Sequence, residues 1–128
     1  MQRSELCPLT DSPASVYERW KAALESKDVD GLASLYHRDC QVLGFDMQIK
    51  GPDELVDALR VPLRFLGCVR IHDGPRHAAA GDSILQELTL ESRMGKMRAT
   101  HAFVVQNGLI RHHFIGNVHR DPGTHASR

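Results

Sequence analysis

"FVVQNGLIRHHF", residues 103–114, decides how the chain reads. Short apolar runs rich in Val, Ile and Phe flank Asn107-Gly108, the strongest short-range signal for two strands joined by a tight turn. Neighbouring side chains in a strand point to opposite faces, so His112 and His113 cannot both face inward. The loop length decides between them. A two-residue loop, Asn107-Gly108, sets Val105 opposite Ile110 and His101 opposite Phe114. A three-residue loop, Gln106-Asn107-Gly108 with a left-handed glycine, sets His101 opposite His113.

Working outward, the same period-2 texture covers everything after residue 66. Cys68–Ala80, Ser83–Met94, Lys96–Gln106 and Leu109–His119 alternate or run apolar, separated by Gly-Asp, Met-Gly-Lys and Asn-Gly turns. Before residue 66 the period is helical. Ser12-Pro13 opens a first helix, with Ser15 and Glu18 spaced as a capping box and Val16, Trp20 and Leu24 on one stripe. Asp28 caps a short second helix carrying Leu32, Leu35 and Tyr36. Gln41–Phe45 reads as a short strand. Lys50-Gly51-Pro52-Asp53-Glu54 opens a third helix with Leu55 and Leu59 inward, and Pro62 ends or kinks it. Helices first and an antiparallel meander after them predict an α+β fold, the helices packed on one face of a curved sheet.

The 128 residues fit one domain, with a core over about 13–118 and flexible tails at 1–11 and 120–128. Sixteen basic residues balance sixteen acidic ones, so no net field draws the chain to nucleic acid or to an anionic membrane. Three cysteines, far apart and without C-x-x-C spacing, suit free thiols in a reducing compartment. No apolar run reaches the ~18 residues of a membrane span, and MQRSELCPLTDSP lacks a signal's apolar core. The expectation is a cytoplasmic protein. Eight histidines are the unusual feature, because they change charge near neutral pH.

The runs "VYERWKAALESKDVDGLASLYHRDCQV", "KGPDELVDAL" and "FVVQNGLIRHHF" together resemble the nuclear-transport-factor-two-like superfamily. Within it, the SnoaL-like polyketide cyclases and the ketosteroid isomerases look closest. The resemblance implies a cone: three helices in the concave face of a mostly antiparallel sheet, an apolar pocket open at one end, and dimers formed through the sheet. It implies the family's reactions less directly. Ketosteroid isomerases carry a helix tyrosine where this chain has Trp20, and a base aspartate near Gly44. Limonene-type epoxide hydrolases carry an arginine and an aspartate at the positions of Leu88 and Leu90. The SnoaL-type acid falls at Ile115. The cyclase histidine falls on His101, and that histidine is kept.

The three-residue loop agrees with those positions, placing His113, Ile115 and Asn117 on the cavity side and His112 outside. His101 and His113 would then have Cβ atoms ~5 Å apart, with His101 between Leu88 and Leu90 on the neighbouring strand. Burial and mutual repulsion keep at least one imidazole neutral, able to act as a general base while the other donates a hydrogen bond. Asp46 is a further candidate base at the pocket mouth. Trp20, Phe45, Leu88, Leu90, Ile115 and Asn117 form the expected substrate wall. Two histidines from one hairpin fall short of a catalytic zinc site, and no phosphate-binding glycine motif is present, so neither metal nor cofactor is expected. Glu87 and Glu91 read as an outer polar face. The function so implied is cofactor-free isomerisation, cyclisation or dehydration of an apolar, polyketide- or steroid-like ligand, by a homodimer. The rival reading is a binding or dimerisation module of the same fold that performs no chemistry.

Overall fold

The computed structural model describes residues 12–121. Helix α1 (Pro13–Glu25) starts where Ser12 Oγ accepts the Ser15 N–H at 3.1 Å, so Ser12 is the cap and the Ser15-Glu18 box does not form. Val16, Tyr17, Trp20 and Leu24 are its buried stripe. Helix α2 (Val29–Ala33) is capped by Asp28, whose carboxylate accepts the Gly31 N–H at 2.9 Å. Helix α3 (Gly51–Phe65) is capped from within, because Glu54 reaches back to the Lys50 N–H at 2.8 Å. Pro62 does not end this helix, which continues through Phe65; the burial of Leu63 holds its last turn against the core.

The strands are β1 (Tyr36–Gly44), β2 (Met47–Lys50), β3 (Arg70–Ala80), β4 (Ser83–Ser92), β5 (Gly95–Gln106) and β6 (Leu109–Asp121). They form one curved, open sheet in the order β2-β1-β6-β5-β4-β3, with β1 parallel to β6 and every other pair antiparallel. Tyr36 therefore begins a strand instead of closing α2. The expected strand at Gln41–Phe45 is longer, and it has a hairpin partner in β2. The last strand runs through Asp121, past the expected end at His119. The proposed tail 1–11, with Cys7, lies outside the described residues, as do residues 122–128.

The β5–β6 hairpin has the two-residue loop, Asn107 and Gly108 both at positive φ (56° and 78°) with Gln106 opposite Leu109. Neither simple register then follows. Val105 pairs with Ile110, but Val104 pairs with His112, so Arg111 is an extra residue in a bulge. Beyond it Phe103 faces His113 and His101 faces Ile115. A second offset follows: Thr100 pairs with Gly116 but Arg98 with His119, around Asn117 at φ 51°.

Helix α1 lies across β3, β4 and β5, while α3 lies on β1 and β2. One core cluster joins Val16, Tyr17 and Trp20 to Phe103, Ile110 and Val42. Three hydrogen bonds staple α1 to β3. Asp73 accepts hydrogen bonds from the Tyr17 hydroxyl at 2.7 Å and Lys21 Nζ at 3.0 Å, and Glu25 accepts the Ile71 N–H at 2.7 Å. No helix among the described residues is long and apolar enough to cross a membrane.

Candidate functional site

Between the helices and the concave face lies a cavity of about 340 Å³. Its wall is aliphatic: Leu24, Leu55, Leu59, Leu88, Leu90 and Ile115 contribute from both layers. At its outer end the lining includes Met47, Met94, Met97 and Val118, large apolar side chains that are all substantially exposed. Unbranched methionines at a rim adapt to irregular apolar shapes. At the inner end sit Trp20, Tyr36, His101 and His113, each less than a tenth exposed.

These four side chains form one hydrogen-bonded chain. Trp20 Nε1 donates to Tyr36 Oη at 3.0 Å, Tyr36 Oη lies 2.8 Å from His113 Nδ1, and His113 Nε2 lies 2.8 Å from His101 Nδ1. Their rings also pack. Phe103 stacks on His113 at 4.2 Å between centroids, and Trp20 lies 5.3 Å from His101. The two histidines are diagonal neighbours on the inner face, His101 opposite Ile115 and His113 opposite Phe103. Long side chains reach across that diagonal.

The direction of the chain follows from donor accounting. The indole can only donate, so the Tyr36 oxygen accepts from it. The Tyr36 O–H then needs an acceptor, and His113 Nδ1 is the one in reach. A lone pair on Nδ1 puts the His113 proton on Nε2, from which it is donated to His101 Nδ1. His101 is thereby left with its proton on Nε2. The opposite direction would strand the buried Tyr36 hydroxyl proton, at a cost of about 1–3 kcal/mol. Every group in the chain is held neutral. Burial lowers the His101 pKa to about 4. Burial, and then the neighbouring His101, drive His113 well below the usual histidine range. Burial raises the Tyr36 hydroxyl.

Of the residues expected at the site, Trp20, Leu88, Leu90, His101, His113 and Ile115 all line this cavity. His101 does not lie between Leu88 and Leu90; its partner on β4 is Gln86, while Leu88 faces Ala99 and Leu90 faces Met97. Asp46 and Phe45 form the exposed turn between β1 and β2 and are not part of the cavity wall, Phe45 being 94% exposed. Asn117 points away as well. The offset around it reverses the parity of β6, so Val118 takes the cavity side and Asn117 lines a polar depression on the outer face, with Arg76, His77, Arg98 and His119. Glu87 also lines that outer depression. His112 lies on the outer side, stacked on Phe114.

Two residues escaped the sequence reading. Tyr36 looked like the apolar end of a helix; the signal that could have found it was the indole of Trp20, a buried donor that requires an acceptor. Gln86, buried opposite His101, donates to the Gly74 and Glu87 carbonyls and so holds the irregular part of β3 against β4.

Three solved structures of the same shape are distant in sequence. A proposed polyketide cyclase from Sinorhizobium meliloti superposes with a TM-score of 0.68 at 16% identity, covering 78% of this chain and 92% of that one. A protein with a ketosteroid isomerase-like fold from Catenulispora acidiphila, solved with trimethylamine, gives 0.67 at 12% identity over 78% and 82%. An epoxide hydrolase of the LEH-like type from M. tuberculosis gives 0.63 at 22% identity over 81% and 80%. At such identities the likeness is one of fold. No curated protein matches the sequence. The model of the SnoaL-like domain matches residues 17–113, a span running from α1 to the buried histidine of β6, and the chain belongs to that family.

Proposed function

We propose that the protein is a small-molecule enzyme that binds an apolar substrate in the concave cavity and moves a proton beside a carbonyl or hydroxyl without a cofactor. Isomerisation, cyclisation and dehydration all share that step. One observation carries the reading: a neutral histidine, His101, stands at the inner end of an apolar cavity with one ring nitrogen not engaged by its neighbours in the chain. His101 is the group that would touch substrate. His113, Tyr36 and Trp20 position it. The reversed proton order, populated at a cost of a few kcal/mol or less, presents a lone pair on His101 and makes it a base. The S. meliloti neighbour's description as a polyketide cyclase agrees with an apolar, carbonyl-bearing substrate.

The test is exchange of the α-hydrogens of a bound apolar ketone in D2O. Wild type should accelerate exchange, and His101→Gln, which keeps bulk and a donor, should lower the rate ~100-fold with an unchanged circular dichroism spectrum. Exchange at the wild-type rate in the variant would exclude His101. A second reading, a ligand carrier with no chemistry, is favoured by one observation: no carboxylate lines the cavity among the described residues. Ligand binding without exchange in either protein would favour it.

We also propose that a second copy of the chain covers the outer sheet face. Leu43, Phe114, Ala102 and Leu85 form a cross-strand apolar row there, with Phe114 and Leu85 each more than two-fifths exposed. Wet apolar rows of this kind mark contacts. Sedimentation equilibrium should give a dimer at tens of micromolar, and a monomer there would count against it.

A further inference from the structure

The outer face of the sheet holds a second concavity, separate from the cavity under the helices. It has a volume of about 560 Å³, and its lining includes Arg76, Glu87, Arg98, Thr100, Asn117 and His119. Strand register explains how it forms. On the outer face Glu87, Thr100 and Gly116 make one cross-strand row, and Thr89, Arg98 and His119 make the next. Thr100 is small and Gly116 has no side chain; a Cβ at Gly116 would meet nothing within 4 Å, so the floor there is open. Arg76 comes to the same depression from the irregular stretch of β3, which the buried Gln86 holds through the Gly74 carbonyl at 3.2 Å.

Two independent features suit this depression to an anion. Arg76 and Arg98 make no hydrogen bond or ion pair among the described residues, and Glu87 in the same lining joins neither. Glu87 turns toward β3 instead, where a Cβ on Gly74 would meet its Oε1 at 3.0 Å. Two guanidinium groups thus line one concavity with their donors free. The other feature lies in the backbone. Asn117 is held at φ 51°, a conformation that asparagine tolerates and most residues avoid, and strain of this kind gathers at binding sites. The offset around it puts an amide on the outer face where regular alternation would put Val118.

We propose that this depression binds a hydroxyl-bearing organic phosphate, with Arg76 and Arg98 on the phosphate, whatever the concave cavity holds. Donor number selects the anion. Two guanidinium forks offer roughly four in-plane N–H groups, which already fill the roughly four acceptor positions of a carboxylate. The Asn117 amide and the Thr100 hydroxyl would then meet no anion oxygen. A phosphomonoester, with three strong acceptor oxygens and a charge approaching about −2, has places for all of them. Glu87 selects the rest of the molecule, because its carboxylate repels a bare anion but accepts from a ligand hydroxyl.

The test is a ¹H–¹⁵N NMR titration with glycerol 1-phosphate and, as its carboxylate counterpart, glycerate. Glycerol 1-phosphate should move the Thr100, Gly116 and Asn117 amides and leave the Trp20 indole in place. Glycerate should bind about tenfold more weakly. Arg98→Gln should weaken glycerol 1-phosphate about tenfold, whereas Arg120→Gln, at an arginine in the lining of the concave cavity, should change it less than about twofold. Equal binding of the two probes, equal losses in the two variants, or a shift at the Trp20 indole overturns the proposal. So does binding to phosphatidic acid vesicles without binding of glycerol 1-phosphate, which would make this face a membrane contact. The depression adjoins the outer apolar row at Leu85, so sedimentation completes the test. The double variant Arg76→Gln, Arg98→Gln should sediment as wild type does. Loss of a dimer in that variant, with no glycerol 1-phosphate bound by wild type, assigns the arginines to the contact between copies and overturns the phosphate site.

Discussion

His101 and His113 owe their chemistry to two neighbours that do not titrate near neutral pH. Trp20 fixes which way Tyr36 points its proton, and Tyr36 fixes the tautomer of His113 and, through it, of His101. Removing the middle of such a chain breaks it twice. Tyr36→Phe keeps the ring but leaves the Trp20 N–H and His113 Nδ1 both buried without their partner. Chemical denaturation should show a loss of about 2–6 kcal/mol, since each stranded polar group costs about 1–3 kcal/mol. A loss below about 1 kcal/mol would mean that the chain contributes no order to the site. At this scale the sequence was half legible. That both histidines face one cavity followed only from the family positions, through a three-residue loop that the structure replaces with a two-residue loop and a bulge. Their orientation was not legible, since it depends on a tyrosine 77 positions away from His113.

Element by element, the helix starts were readable because local chemistry dictates them: Ser12 and Asp28 cap by side chain, and acids gather in the first turn of α3. Strand register was not readable, because it is set by bulges. The extra residue at Arg111 lets a two-residue turn and an inward His113 coexist, two features that a regular ladder makes incompatible. The offset at Asn117 then turns that side chain outward against simple alternation. Asp46 and Phe45 were misplaced for a similar reason, since β1 turns straight back into β2 and leaves them at the tip. The hairpin rests on Asn107, whose φ of 56° suits asparagine and strains other side chains. Asn107→Ala should therefore cost ~1 kcal/mol and Asn107→Gly much less, as measured by denaturant midpoints. Equal effects of the two would show that the turn does not hold the register.

Across the whole molecule, the sheet and helices together create what no single element has, an apolar enclosure around an intact polar chain. The order of helices and strands made the α+β architecture legible. The open end of the cavity was implied by the family resemblance alone, and its methionine rim was not legible, because Met47 begins β2 while Met94 and Met97 belong to the β4–β5 hairpin. Enclosure is also what holds His101 neutral, with a pKa near 4 against the 6.5 of a free histidine. The unfolded chain therefore binds the extra proton first as pH falls from about 6.5 to 4, so this site's contribution to stability is present above that window and lost through it. The central claim is that the folded chain presents a neutral His101 to an apolar cavity. NMR titration of the His101 ring, assigned by its disappearance in His101→Gln, tests it most directly. The account predicts no protonation between pH 8 and about 5; a midpoint at or above ~6.5 would contradict it.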